Sequence, residues 1–533
     1  MLDETEKFEP FQELSKLRTF LPFRWSQSQP FNSPTDFDLL LRRLVRLRVL
    51  SLSNYVISGI PESTKYLKHL RFLNLSCTEI THVPENSVGS LYNLQTLLLS
   101  DCHGLTTLPT DLPNLTKLRH LDVSGTNLTK MPPNFGGLKS LRLLTTFVVS
   151  KDGGSSIKEL GAHQLLCGSL SIEKLENVIN ATDASEAKLQ EMKFLDELAL
   201  IWTNHVHNLT SEENVLNNLQ PHKYLRKFKI ENYGGKRFPD WLGNPSFSNM
   251  VSIHLIGCRN CSSLPQLGQL FSLEILHVAK MTRLERVNPD FYGNGNHTSP
   301  FRSLKVMSFE DMFEWKEWLP VDGVEFPSLE ELMIEKCGKL KGDLSHRLPA
   351  LNNLVISGCH SLTSLPKVPI LEELEITYCN SWKDLPAGLM QGVTGLSKLI
   401  LSTCQSLKSF PSASFPMLKS LHIDSCDAVS TFPLSPFPGL CKLRIQACNN
   451  LKSLSTSTEA HQNLHSLEII SCPRLDSFPV GGLCAPNLHS FSICDSENLS
   501  PQKEWEDSNL GSLEKAIGTC SLSLLGKSLP LFE

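Results

Sequence analysis

Aliphatic residues return along this chain at a fixed spacing, L-x-x-L-x-L-x-x-(N/C/T)-x-x-L, often closing in L-P or F-P. Residues 94–109 carry it as Leu94, Leu97, Leu99, Cys102, Leu105, Leu108 and Pro109. Residues 418–433 carry it as Leu418, Leu421, Ile423, Cys426, Val429, Phe432 and Pro433. The x-L-x-L-x core alternates with period two, which predicts a short strand with leucines inward and the x residues facing solvent. The Cys/Thr position is expected to turn the chain back under the sheet. The closing proline limits further strand or helix in the opposite wall.

Cysteine fills the ninth position in Cys102, Cys258, Cys337, Cys359, Cys379, Cys404, Cys426, Cys448 and Cys472, and from Cys337 the steps are 22, 20, 25, 22, 22 and 24 residues. Thr78 and Thr126 take the same place, each 24 residues from Cys102. These steps are the period of leucine-rich repeats, and about 18 copies run from the anchor Leu47 to the anchor Leu488. Leu17–Phe20 reads as the remnant of an earlier copy. The copies at Leu170, Leu225 and Leu304 are degraded. No single copy can bury its leucines alone, so stacking must supply the stability. The expected fold is an α/β solenoid, a curved horseshoe with a long parallel β-sheet on the concave face and an irregular, short-helical convex side. At about 4.8 Å per strand the concave face is expected to run roughly 85 Å.

The expected organisation is a lead-in or cap over 1–45, repeats over 46–145, an insert or loop with a degraded repeat over 146–192, repeats over 193–500, and an irregular, truncated tail over 501–533. Within the insert, VVSKDGGSSIKELGAH is polar and glycine-rich and is expected as a surface loop or cap. NATDASEAKLQEMKFLDEL follows with helical spacing. Residues 286–300 read as a second loop. Phe313, Glu314, Trp315 and Trp318 mark an acidic-aromatic insertion that either offers an exposed contact or closes a gap between irregular repeats.

Charge and chemistry narrow the function. The formal net charge of −5 lacks the basic footprint of a nucleic-acid binder. No apolar run is long enough for a transmembrane helix, and the acidic start is unlike a secretory signal, so a cytoplasmic location is expected. The chain has sixteen cysteines, and those that recur at the fixed repeat position are expected as buried, reduced thiols rather than disulfides. Cys258-x-x-Cys261 has no second C-x-x-C to complete a zinc site, so no metal is expected. No G-x-S-x-G elbow occurs, and the adjacent Cys102-His103 and Cys359-His360 involve ladder cysteines expected to be inert, so no catalytic residue is assigned.

Binding is then the remaining class. The outward x positions place Trp202, Lys227 and Lys229, then Glu331, Glu335, Glu373, Glu375 and Tyr378, then Lys442 and Arg444 along the groove. Alternating acidic and basic segments would set a partner's register, and exposed aromatics would anchor it.

Beyond the generic repeat, the segments FEPFQELSKLRTFLPF, TTFVVSKDGGSSIKELG, LSIEKLENVINATDASEAKL and NYGGKRFPDWLGNPSFSNMVSIHL give a closer resemblance. The chain resembles the leucine-rich-repeat region of plant intracellular immune receptors, the coiled-coil/nucleotide-binding/leucine-rich-repeat disease-resistance proteins, over nearly all of residues 7–500. That resemblance implies a plant defence role. The repeat arm would hold a nucleotide-binding domain inactive, in cis or in trans, and recognise a pathogen effector or a guarded host protein. This chain has no G-x-x-x-x-G-K-[ST]. Gly526-Lys527-Ser528 lacks the required glycine, which is Ser521 here. No cofactor is therefore expected, and ATP or ADP enters only with an upstream nucleotide-binding domain. A general intracellular repeat scaffold or adaptor with no immune role is the alternative reading.

Overall fold

The computed structural model describes residues 16–21, 38, 41–203, 209–293, 300–321, 324–341, 344, 347–366, 368–385, 395–410, 414–455, 461–476 and 485–496. The chain divides into two units, residues 1–261 and 262–533. The tail expected over 501–533 lies outside the described residues, as does most of the 1–45 lead-in.

In the first unit a run of parallel strands comprises Thr19–Phe20, Val49–Ser51, Phe72–Asn74, Thr96–Leu98, His120–Asp122 and Leu143–Leu144. Thr19 and Phe20 sit in register with Val49 and Leu50, so the remnant copy at Leu17–Phe20 is a genuine repeat strand. A second parallel run follows: Thr146–Val148, Cys167–Glu173, Phe194–Ile201, Lys227–Glu231 and Ser252–Ile256. In the second unit five-residue strands succeed one another in parallel register from Ile275–Ala279 and Val306–Glu310 through Glu331–Glu335, Asn353–Ser357, Glu373–Thr377 and Lys398–Ser402. Ser420–Asp424, Lys442–Gln446, Ser466–Ile470 and Ser490–Cys494 complete it. The unbroken register follows from the repeat: a slip of one residue would turn every leucine to water.

The leucine positions are buried throughout, for example Leu354, Ile356, Leu374, Ile376, Leu421 and Ile423. Each such side chain contributes about 1.5–3 kcal/mol when removed from water, and much of that surface is covered by the neighbouring copies. The wall opposite the sheet is built from short 3₁₀ turns, among them Leu112–Asn114, Phe135–Gly137 and Leu267–Gln269, and from the helices Ala181–Glu186 and Leu209–Asn218.

One feature of the repeat was missed by pattern reading. The residue between the strand and the ladder cysteine takes the left-handed conformation: Lys336 (φ 52°), Tyr378 (φ 55°), Thr403 (φ 53°) and Ser425 (φ 52°) are examples. A non-glycine residue costs about 1–2 kcal/mol there. The conformation turns the chain, and it also aims one more N–H at the next strand: Lys336 donates to Ser357 O at 2.7 Å and Ser425 to Gln446 O at 2.9 Å.

The ladder position itself wants a small side chain carrying a donor. Cys359 Sγ reaches Ser357 O at 3.4 Å and, one repeat back, Ile334 O at 3.5 Å. Cys426 does the same toward Asp424 O at 3.4 Å and Leu401 O at 3.8 Å. Thr78 and Thr126 substitute by donating Oγ1 to Leu75 O and Val123 O, both at 2.7 Å. The nine ladder cysteines are buried free thiols. Burial pushes Cys258, Cys379 and Cys448 up to about 12, so these thiols stay protonated and unreactive.

Within the 146–192 segment Lys151, Asp152 and Gly153 form an exposed bend, while Val148, Val149 and Ser150 before it and Ser155 after it are buried, and Ser155 Oγ donates to Pro132 O at 2.6 Å. The degraded copy at Leu170 is a seven-residue strand, Cys167–Glu173, paired along its length with Phe194–Ile201. Polar side chains here satisfy backbone between repeats, a use that composition cannot distinguish from solvent exposure. The acidic-aromatic insertion closes a gap. Trp315 and Trp318 are buried beside Phe309 at 4.8 and 5.4 Å, and Trp318 Nε1 donates to Tyr292 Oη at 2.9 Å. Only Phe313 of its aromatics is exposed.

Candidate protein-binding face

Every second residue of each strand leaves the sheet on the solvent side, because successive side chains alternate. The structure places Lys227 and Lys229 there in the first unit. In the second it places Glu331, Glu335, Glu373, Glu375, Lys442 and Arg444. Tyr378 follows its strand, in the left-handed position, and is 56% exposed.

Trp202 is a correction. It is 1% exposed, its ring lies 5.2 Å from that of Tyr233, and it offers no surface to a partner. Trp202 and Tyr378 hold the same place in the repeat, one residue past the strand. Tyr378 has positive φ, and Trp202 is not among the residues that do. The large ring tucks under the sheet against Tyr233 instead. Its Nε1 has no hydrogen-bond partner among the described residues.

Many of the charges are already engaged. Lys227 Nζ lies 2.6 Å from Glu197 and Glu373 2.8 Å from Lys398 across strands, and Lys229 lies 2.6 Å from Glu231 on its own strand. Arg444 lies 3.3 Å from Glu468, and Asn353 Nδ2 donates to Glu331 at 3.0 Å. Exposed pairs of this kind contribute little stability, so their charges remain available to a partner that outcompetes water. Glu375 and Lys442 have no ion pair among the described residues. The Glu335 carboxyl is pushed up first by burial and then by Glu310, its neighbour across the register, with Lys336 opposing.

The middle outward column holds residues that a search for charge overlooked: Met333, Val355, Ile400 and His422 interleave with Glu375 and Arg444. Period two alone assigns them outward whatever their chemistry, and that signal was present in the sequence. Burial, and then the Arg444 charge, holds the His422 imidazole below its ordinary value. The face is thus an amphipathic strip, apolar along its centre at Met333 and Val355 and flanked by carboxylates. Among the described residues no cluster of His, Cys, Asp and Glu is arranged to hold a metal ion.

Two family models match: R13L1/DRL21 leucine-rich repeats over residues 157–281 and a general leucine-rich repeat over residues 45–103. A disease-resistance RPP13-like protein 1 from Arabidopsis thaliana is 40% identical over 458 residues, covering 76% of this chain and 43% of its own length. The disease-resistance protein RGA1 from Solanum bulbocastanum is 34% identical over 381 residues, covering 70% of this chain and 38% of its own. The chain therefore spans less than half the length of these curated relatives. Among solved structures, a leucine-rich-repeat protein of Leptospira interrogans aligns with TM-score 0.39 at 20% identity, over 68% of this chain and 85% of its own.

Proposed function

The chain is a leucine-rich-repeat protein matched over much of its length by plant disease-resistance proteins, and from that premise we propose that it is the recognition and restraining arm of such a receptor. In this reading it serves plant defence from the cytoplasm by binding proteins. The sheet face takes a pathogen effector or a guarded host protein, and the arm holds a nucleotide-binding domain inactive until then. The repeat families and the relatives' names point to a non-catalytic region. No helix among the described residues is long and apolar enough to cross a membrane.

The observation that carries the reading is the length match. Relatives named for disease resistance align over 76% and 70% of this chain, while the chain accounts for only 43% and 38% of them. A module shared as a part of larger proteins is suited to act on the remainder.

The test is a chimera. This chain replaces the corresponding repeats of the RPP13-like relative, and leaf cell death is scored after transient expression. Restraint predicts a quiet chimera and an active protein when the repeats are deleted. Recognition predicts that members of a pathogen effector collection trigger the chimera, and that Tyr378→Ala with Glu373→Lys abolishes the response. A chimera as active as the deletion sinks restraint. Triggering that ignores the face variants sinks the assignment of the face.

A further inference from the structure

Among the described residues, repeats open with a tight turn whose two central residues face away from the core. Backbone bonds close these turns in the first unit: Leu141 N to Leu138 O at 3.0 Å, Leu166 N to His163 O at 3.1 Å, Leu195 N to Met192 O at 3.4 Å and Leu225 N to His222 O at 3.0 Å. Turn positions ordinarily carry polar residues, and Lys139-Ser140 does. The next three turns do not conform. Their second central residues are Leu165, Phe194 and Tyr224, exposed by 53%, 57% and 50%.

These three are not scattered. Their strands, Cys167–Glu173, Phe194–Ile201 and Lys227–Glu231, are consecutive neighbours in the sheet. The turns therefore stand on strands about 4.8 Å apart; Tyr224 and Phe194 each lie three residues before the paired Lys227 and Glu197, while Leu165 lies two residues before Cys167, which pairs with Phe194 ahead of a bulge at Gly168/Ser169. Single exposed apolar residues need no explanation, whereas a contiguous exposed row marks a contact surface.

Cations surround the row. Lys139, Arg142, Lys193, Lys223 and Arg226 are exposed at the same turns or at the residue just before the strand, and none has an ion pair among the described residues. Backbone bonds from Cys167 N to Arg142 O and from Arg226 N to Asp196 O, at 2.8 and 2.9 Å, fix these positions as the flank of the row. Lys223 Nζ also lies 5.4 Å from the Tyr224 ring centroid. Two acids lie among them, Asp196 and Glu191, the latter engaged by Gln164 at 2.5 Å and Lys188 at 3.9 Å, and Glu197 is taken by Lys227 at 2.6 Å. The edge is locally cationic in a chain whose net charge is −5.

We infer that this lateral edge, separate from the sheet face, is a second docking surface for an acidic protein segment that presents aliphatic or aromatic side chains to Leu165, Phe194 and Tyr224. Unpaired arginines and lysines around an apolar centre require carboxylates on the partner, placed around its own apolar residues. A helix suits the row, because its 5.4 Å pitch lies close to the strand spacing. Leu165 argues against a nucleic acid, since an aliphatic side chain offers no stacking plane for a base.

The test uses the full chain and a displayed library of helical peptides whose exposed positions vary among Glu, Asp, Leu, Ile, Phe, Lys and Arg. The expected selected pool is enriched in acids spaced around aliphatic or aromatic residues. Binding of a selected peptide weakens about tenfold or more in Phe194→Ser/Tyr224→Ser, as truncating two central contacts should. It weakens similarly in Arg142→Glu/Arg226→Glu, which leaves the apolar row intact, and both variants keep wild-type thermal unfolding. Tyr378→Ala, on the sheet face, leaves it unchanged, so the two surfaces fail or stand separately. A pool with no acidic enrichment, or peptides indifferent to both edge variants, overturns the inference. Tighter edge-dependent binding of phosphatidylserine vesicles or polyuridylate than of any selected peptide overturns the assigned class of partner.

Discussion

Glycine 268 is an exacting packing position in the second unit. It is the middle residue of the 3₁₀ turn Leu267–Gln269, and its carbonyl accepts Phe301 N–H at 3.1 Å. A Cβ placed on it would stand 2.3 Å from Tyr292 O, 2.7 Å from Tyr292 C and 2.8 Å from Tyr292 Cα. All three are backbone atoms, so no rotamer change relieves the clash. Ordinary contact begins about 1 Å further out, and the whole Pro289–Tyr292 turn must retreat. That turn carries the Tyr292 hydroxyl that accepts the Trp318 Nε1 hydrogen bond. Forcing one carbon into a filled core costs about 1–3 kcal/mol where side chains can adjust, and the upper end applies to backbone. Glycine 136 is the matched control, again the middle of a 3₁₀ turn, Phe135–Gly137. Its added Cβ would meet Ala162 Cβ and Glu159 O at 3.5 Å, an ordinary contact. Gly136→Ala is therefore expected to be neutral, or to stabilise by about 0.4–1 kcal/mol through the unfolded chain. Hydrogen exchange read by mass spectrometry resolves the two, since a repeat stack opens locally rather than all at once. Gly268→Ala should speed exchange in the repeats around Leu267, Tyr292 and Trp318 by roughly ten- to a hundredfold. Equal effects of the two substitutions, or no change around Tyr292, would refute the reasoning.

Three further outcomes follow from the same geometry. His163 is buried, both its ring nitrogens lack hydrogen-bond partners among the described residues, and burial lowers its pKa from 6.5 to about 4. The unfolded chain therefore binds more protons, so stability should be flat above pH 7 and fall as pH drops from about 6.5 toward 4. His163→Leu, the residue that Leu138 supplies one turn earlier, should flatten that loss in urea titrations at pH 5 and pH 8. Thr403 holds φ 53° with a branched Cβ, so Thr403→Asn should raise stability by about 0.5–1 kcal/mol in chemical unfolding. Thiol labelling of the native chain, mapped by peptide mass spectrometry, should reach exposed Cys77 and Cys167 quickly and the ladder cysteines only after denaturant is added.

The sequence was most informative where the repeat is regular. Leu418, Leu421 and Ile423 announce a strand and its inward face, and the structure buries all three, because period two leaves a parallel strand no other register. The interleaved outward positions were equally readable, including Met333 and Val355, once side-chain type was ignored. The ladder donors were not. A recurring cysteine implies burial, but that Cys359 reaches back to Ile334 O while Thr78 serves by bonding Leu75 O depends on which carbonyls the turn leaves unpaired. The left-handed residue before each cysteine was hidden for a related reason: Lys336, Tyr378, Thr403 and Ser425 share a backbone angle and no chemistry.

Periodicity by itself determined that this chain stacks repeats, which leucines lie inside and where the solvent face begins, since burying those leucines admits one alternation. Only the tertiary structure decided what neighbouring repeats do to particular side chains. Trp202 and Tyr378 occupy one repeat position, yet the first is buried against Tyr233 and the second stands in water. Leu165, Phe194 and Tyr224 lie 29 and 30 residues apart in sequence, and stacking alone brings their turns onto neighbouring strands. Spacing along a chain fixes direction from the backbone, whereas contact depends on the residues that the next turn of the stack brings alongside.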